Sequence, residues 1–154
     1  MRVEMWELQA REAIRDLVAR YNANGDSGRF AQVLELFAPD ARMVLPDGTR
    51  TGHDEIITIF TGAKDDLWTA AGAPAYVRHV TGTHQIDLVD TEHANGRLYF
   101  QVITSVGLDH WGRYVDQYCL IDGRWRFATR TVTVDGYSPA SLFPNPTAQR
   151  GTDV

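Results

Sequence analysis

Cysteine is nearly absent from this chain. The only one, Cys119, leaves no pair to close a disulfide, and its place beside Leu120 and Ile121 in an expected strand reads as a small buried hydrophobe rather than a nucleophile. Long apolar runs are absent too. No stretch approaches the ~20 residues that span a bilayer. The opening Met1-Arg2-Val3-Glu4-Met5-Trp6 lacks the apolar centre of a signal peptide, so a cytoplasmic location is expected. Basic charge is in short supply, with 15 Lys+Arg against 20 Asp+Glu and a net charge of -5. That balance argues against nucleic acid or an anionic membrane as partner. Signature motifs are missing as well. There is no G-x-G-x-x-G and no phosphate-binding loop, and without G-x-S-x-G a nucleophile elbow is not expected. The five histidines, His53, His79, His84, His93 and His110, form no H-E-x-x-H and no Cys/His zinc spacing. Neither a metal nor any other cofactor is expected.

What is present fits one ordinary globular domain. The 154 residues are 44% hydrophobic and 23% charged, enough to bury a core without metal or disulfide support. No repeat, low-complexity block or interior linker interrupts the chain. The domain is expected over residues 1–137. Residues 138–154, with Pro139, Pro144 and Pro146, form a tail that is partly docked or disordered, with Tyr137, Leu142 and Phe143 as docking residues.

Helices come first. Ile14, Leu17, Val18 and Tyr21 fall at i, i+3, i+4, i+7, a single apolar stripe. Asn24-Gly25-Asp26-Ser27-Gly28 reads as a break. A second stripe follows at Phe30, Val33, Leu34 and Phe37, with Pro39 just beyond. Ala41 to Leu45 and Thr49 to Thr51 read as two short strands around Pro46-Asp47-Gly48. Asp54 is placed to cap a third helix carrying Ile56, Ile57, Ile59 and Phe60. The stretch from Ala63 to Ala75 reads as loop or weak helix. Strands dominate from Tyr76 onward. Asn95-Gly96, Gly112 and Asp122-Gly123 are the turn signals, and alternating residues from Leu98 to Leu108 form one long run. Helices followed by antiparallel strands imply an α+β fold whose helices cover one sheet face.

Two polar residues stand in apolar surroundings. Asp26 lies in the turn expected between the first two helices, and His79 lies between Val77 and Val80 at a strand start. A carboxylate that accepts one imidazole N–H leaves the other ring nitrogen as a base and stabilises the imidazolium that forms. Asp26 as a helix cap and His79 as an ordinary strand histidine are the plain alternatives. Asp116, between Tyr114 and Tyr118 on one strand face, is either an exposed polar residue or a buried partner for Arg130. Trp68, Trp111 and Trp125 read as core or interface residues, and His84 and His110 as candidates for a pocket mouth. His79 and His84 lie five apart, on opposite faces of a strand unless a bulge intervenes.

Three segments carry a resemblance. They are Tyr21-Asn22-Ala23-Asn24-Gly25-Asp26 with Phe30 and Leu36-Phe37-Ala38-Pro39-Asp40-Ala41, then Arg78-His79-Val80-Thr81-Gly82-Thr83-His84-Gln85-Ile86, then Tyr114 to Tyr118 with Asp122 to Phe127 and Arg130. In order and spacing they resemble the SnoaL-like, nuclear transport factor 2-like group that includes scytalone dehydratase, bile-acid dehydratase and hexachlorocyclohexane dehydrochlorinase. The resemblance implies a cone-shaped α+β barrel, with N-terminal helices on a strongly curved mixed or antiparallel sheet. It implies Asp26 and His79 as a catalytic pair, with Tyr21 and Arg130 as further active-site residues. Asp116 and Tyr114 are the substrate-binding candidates. The second catalytic histidine of scytalone dehydratase has no counterpart, since an apolar residue near Val106 takes its place. The implied activity is that of a cofactor-independent lyase or isomerase, dehydratase-like, acting on a small hydrophobic molecule such as a polyketide, terpenoid, steroid or xenobiotic. A polyketide cyclase and a non-catalytic binding or association module share the fold. A homo-oligomer, trimer or dimer, is expected.

Overall fold

The computed structural model describes residues 2–72 and 75–143. The first apolar stripe lies on α1 (Met5–Asp26), where Ile14, Leu17, Val18 and Tyr21 are all buried. Asn24-Gly25 does not break this helix. It runs on to Asp26, and Gly28, at φ 71°, turns the chain away in a conformation that glycine adopts without strain. The second stripe gives only a five-residue helix, α2 (Phe30–Leu34). Phe37 belongs instead to β1 (Phe37–Leu45), where the ladder to the neighbouring strand shifts between Phe37 and Arg42. Pro39, with no N–H to give, sits in that irregular stretch.

Strand β2 (Gly48–Thr51) pairs back on β1 as expected. Helix α3 (His53–Ala71) is capped by Gly52, at φ 76°, and not by Asp54. Asp54 lies in the first turn with Glu55, where negative charge favours the helix N-terminus. The helix continues through Ala63 to Ala71, the stretch that sequence periodicity left unplaced.

The remaining strands are β3 (Arg78–Leu88), β4 (His93–Thr104), β5 (Gly107–Ile121) and β6 (Arg124–Tyr137). Two turn signals fail. Asn95-Gly96 lies inside β4, because a Cβ at Gly96 would come within 2.6 Å of the Tyr118 ring. Gly112 lies inside β5, where a Cβ would stand 2.0 Å from the Thr133 carbonyl oxygen. Both glycines serve close packing within the sheet. The run from Leu98 to Leu108 instead breaks after Thr104, with exposed Val106 in the turn. Asp122-Gly123 does turn the chain, with φ of 50° and 73°.

The strands form one mixed sheet in the order β2-β1-β6-β5-β4-β3, parallel only between β1 and β6. The sheet is open: β2 and β3 are edges and do not meet, so the expected barrel is an incomplete one. The inward residues Leu98, Phe100, Val102, Tyr114, Tyr118 and Phe127 pack beneath α1 and α3 in a single core. Among the described residues, no helix is long and apolar enough to cross a membrane. Beyond β6 the chain folds back on β5, where Ser138 N–H donates to the Asp109 carbonyl and Leu142 N–H to the Asp109 carboxylate. The part of the expected tail over residues 144–154 lies outside the described residues.

Candidate active site: an Asp–His pair on an apolar cavity

The last residue of α1 reaches the start of β3. Asp26 Oδ1 lies 2.6 Å from His79 Nδ1, and Asp26 Oδ2 accepts the His79 backbone N–H at 2.8 Å. One carboxylate therefore holds both the ring and the backbone of the same residue. A turn earlier, Asn22 donates to Thr81 Oγ1 and ties the same two elements. The Asp26 carboxylate is an acceptor on both oxygens, so Nδ1 carries the proton and Nε2 is left toward the cavity. The His79 side chain is 28% exposed and that of Asp26 10%.

The cavity they border has a volume of about 390 Å³. Its walls are largely apolar: Met43 and Leu45 from β1, Val132 and Val134 from β6, and Phe100 from β4. Ile59, Phe60, Leu67 and Trp68 close it from α3, with Lys64 beside them. Trp68 is thus a cavity residue, and Phe143 of the returning segment completes the wall. Such a site, apolar with few polar groups, suits a small organic ligand.

Tyr21 and Tyr114 also line the cavity. Burial pushes the pKa of both phenols up, against the opposing influence of Arg130 on each, so both are neutral hydrogen-bonding groups near neutral pH. Arg130 itself does not reach the cavity. Its guanidinium stacks on the Tyr21, Tyr114 and Phe127 rings at 4.3, 4.0 and 4.3 Å. It makes a two-pronged bond to Asp116, Nε to Oδ1 at 2.9 Å and Nη2 to Oδ2 at 2.8 Å. Both side chains are fully buried. Burial opposes the arginine charge, but Asp116 outweighs it and raises the Arg130 pKa. The expected direct contacts of Arg130 and Asp116 with substrate give way to this ion pair behind the wall. Alternation along β5 turns Asp116 inward, but two aromatic rings stand between the pair and the cavity.

Tyr118 donates to Asp116 Oδ2 at 2.8 Å, and His84 Nε2 lies 3.2 Å from the Tyr118 hydroxyl. His84 shares the inward face with His79 because a bulge intervenes: β3 shifts register between Gly82 and Gln85, with Thr83 at φ 51°. It belongs to the buried ionic cluster, away from the cavity. His110 does line the cavity, with Nδ1 2.8 Å from Asp109 Oδ1. Sequence reasoning passed over Asp109. Adjacent strand residues face opposite sides, but Asp109 occupies a bulge, where β4–β5 register shifts between Val102 and Ile103, and is fully buried.

The SnoaL-like domain model matches residues 6–131. The chain belongs to the SnoaL-like domain family. No curated protein matches it. Solved structures similar to this SnoaL-like chain share its fold at low identity. A protein of unknown function with a cystatin-like fold from Nostoc punctiforme is 22% identical, with TM-score 0.74, over 90% of this chain and 98% of that one. A candidate scytalone dehydratase from Novosphingobium aromaticivorans is 21% identical, with TM-score 0.73, over 86% and 89%. A hexachlorocyclohexane dehydrochlorinase from Novosphingobium barchaimii is 17% identical, with TM-score 0.74, over 94% and 100%.

Proposed function

We propose that this SnoaL-like protein is a cofactor-independent lyase or isomerase that removes a proton from a small, largely apolar carbon skeleton, with elimination of water as the specific reaction. One observation carries the reading: the Asp26 carboxylate lies 2.6 Å from His79 Nδ1, and the other ring nitrogen is left to an apolar cavity. In this reaction His79 Nε2 takes a proton from carbon next to a carbonyl. The C–H electron pair becomes the new double bond as the C–O bond breaks. The departing hydroxyl recovers the proton from His79, giving an unsaturated product and water. Asp26 fixes the tautomer and stabilises the transient imidazolium. Tyr21 donates a hydrogen bond to the departing or carbonyl oxygen, and Tyr114 packs on the skeleton. Arg130 and Asp116 act through Tyr21: a permanent cation against the phenol ring favours partial negative charge on its oxygen.

The sheet's outward face carries Val80, Tyr99 and Val115 at 52%, 57% and 42% exposure. Apolar side chains exposed on neighbouring strands support a homo-oligomer as the working form.

The test is proton chemistry on a simple β-hydroxy ketone, 4-hydroxy-4-phenyl-2-butanone, followed in D₂O by loss of the C3 proton and in H₂O by absorbance of the conjugated enone. The intact protein is expected to accelerate both. His79→Ala and Asp26→Asn are each expected to lower the rate roughly 10²–10⁴-fold, the usual worth of a positioned base. Rates near those of the unaltered protein in both variants would remove the base from the mechanism. A bound ligand whose C–H protons never exchange would instead favour a binding module.

A further inference from the structure

A second imidazole faces the same cavity. His110 on β5 stands opposite Val102 of β4, and Val102 stands opposite His79 of β3. Two strand spacings, roughly 10 Å, separate the backbones of the two histidines. Three aromatic rings pack on His110. Its ring stacks on Tyr137 at 5.5 Å, packs against Phe143 at 4.8 Å and meets the edge of Phe100 at 6.2 Å.

The hydrogen-bond inventory fixes its tautomer. The Asp109 carboxylate accepts from Thr104 Oγ1 at 2.9 Å, Ser141 Oγ at 2.5 Å and Leu142 N–H at 2.9 Å. Burial works to raise the Asp109 pKa, but these donors and His110 outweigh it and hold it below the usual carboxylate range. An ionised Asp109 takes the proton side of His110 Nδ1, so Nε2 carries a bare lone pair. The titratable groups facing the ring are Asp109 on its own strand, His79 on β3 with Asp26 behind it, and Tyr137 on β6. Burial lowers the His110 pKa, offset in part by Asp109 and reinforced by His79, so the ring is neutral at pH 7. His110 Nε2 has no hydrogen-bond partner among the described residues, so a ligand that fills the cavity and displaces water from it must offer a donor or leave that nitrogen unsatisfied.

We propose that His110 Nε2 accepts a hydrogen bond from a ligand hydroxyl, so that the cavity selects an apolar skeleton bearing a phenolic, enolic or alcoholic O–H on its β5 side. His110 and Asp109 thereby name the substrate class for the reaction assigned to His79: a hydroxylated ring system presenting its acidic C–H across the cavity from its hydroxyl. The placement of the acidic C–H rests on the proposed lyase reading. The hydroxyl preference does not, and is measurable by binding alone.

The probes are 2-naphthol and 2-methoxynaphthalene, nearly matched in shape and differing in the one donor, titrated against the full chain by ligand fluorescence at pH 7.5. The protein is expected to bind 2-naphthol roughly five- to tenfold more tightly than the ether, the worth of one neutral hydrogen bond. His110→Phe keeps the stacking on Tyr137 and Phe143, and is expected to abolish the preference, bringing the two affinities together. His79→Phe is expected to retain it. A preference that survives His110→Phe, one lost in His79→Phe instead, or none in the unaltered protein, the case of no binding included, overturns the proposal. Should His110→Phe fail to fold, the ¹⁵N resonances of the unaltered protein decide: a 2-naphthol-induced shift at His110 Nε2, absent with the ether, supports it, and no shift overturns it. Absence of C–H exchange with the hydroxyl preference intact would count against the lyase reading only.

Discussion

Asp116 shows how much a single atom can matter where water has no access. Both of its oxygens are engaged by Arg130 and Tyr118, and among the described residues no other carboxylate pairs with the guanidinium. Asp116→Asn is expected to lower unfolding free energy by roughly 3–5 kcal/mol, the cost of an uncompensated buried cation, measured as a shift in the urea midpoint. Arg130→Met with Asp116→Leu, which removes both charges, is expected to recover much of that loss. Asp26 and His79 were legible beforehand because the resemblance singled them out, and their bond lies at 2.6 Å. Asp109 was not. Strict alternation sends it outward, and only the β5 bulge, invisible to period-two reasoning, brings it inward beside its own neighbour.

At the scale of elements, glycine separates what local chemistry predicts from what packing demands. Asn95-Gly96 and Gly112 carry strong turn signals, but each lies within a strand because a ring or a carbonyl crosses the space of its Cβ. Gly112→Ala is expected to cost roughly 3 kcal/mol, since the obstructing atom is backbone that cannot swing aside. Gly62, in the interior of α3 with nothing within 4 Å of its Cβ position, is the converse. Gly62→Ala is expected to stabilise by up to about 1 kcal/mol through helix propensity. Thermal melts of the two variants beside the parent chain check both signs. The helical stripe of α1 was readable because its face is buried along its length. The short α2 was overread, because the hydrophobic spacing that placed Phe37 on a helix suits the first residue of β1 as well.

For the whole molecule, pH links distant parts of the sheet. His84 in the ionic cluster and His110 on the cavity wall both have depressed pKa values, in each case chiefly because burial disfavours the charged ring. A histidine whose folded pKa lies below its unfolded value of about 6.5 binds its proton more readily when unfolded. The stability it supports is therefore present above pH 6.5 and is lost as pH falls from there toward the depressed values. The melting temperature is expected to decline between pH 7.5 and 5.5. His84→Gln, which cannot titrate, is expected to flatten part of that decline; an unchanged slope would mean that His84 contributes none of it. The α+β class, the two N-terminal helices, the long strands of the second half and the family were legible from the sequence. The open edge between β2 and β3 was not, since sheet closure depends on strand pairing that no local pattern encodes.

Asp109 ties the segment after β6 to the strand that carries His110, and Phe143 of that segment is part of the cavity wall. A protease nick just before Ser138 would therefore loosen the Phe143 part of the cavity wall and the Ser141 and Leu142 restraints on Asp109 in one event, leaving the Thr104 contact, while every helix and strand stayed in place. Trimming the chain to its regular secondary structure would yield a protein that looks intact by circular dichroism and has lost its aim.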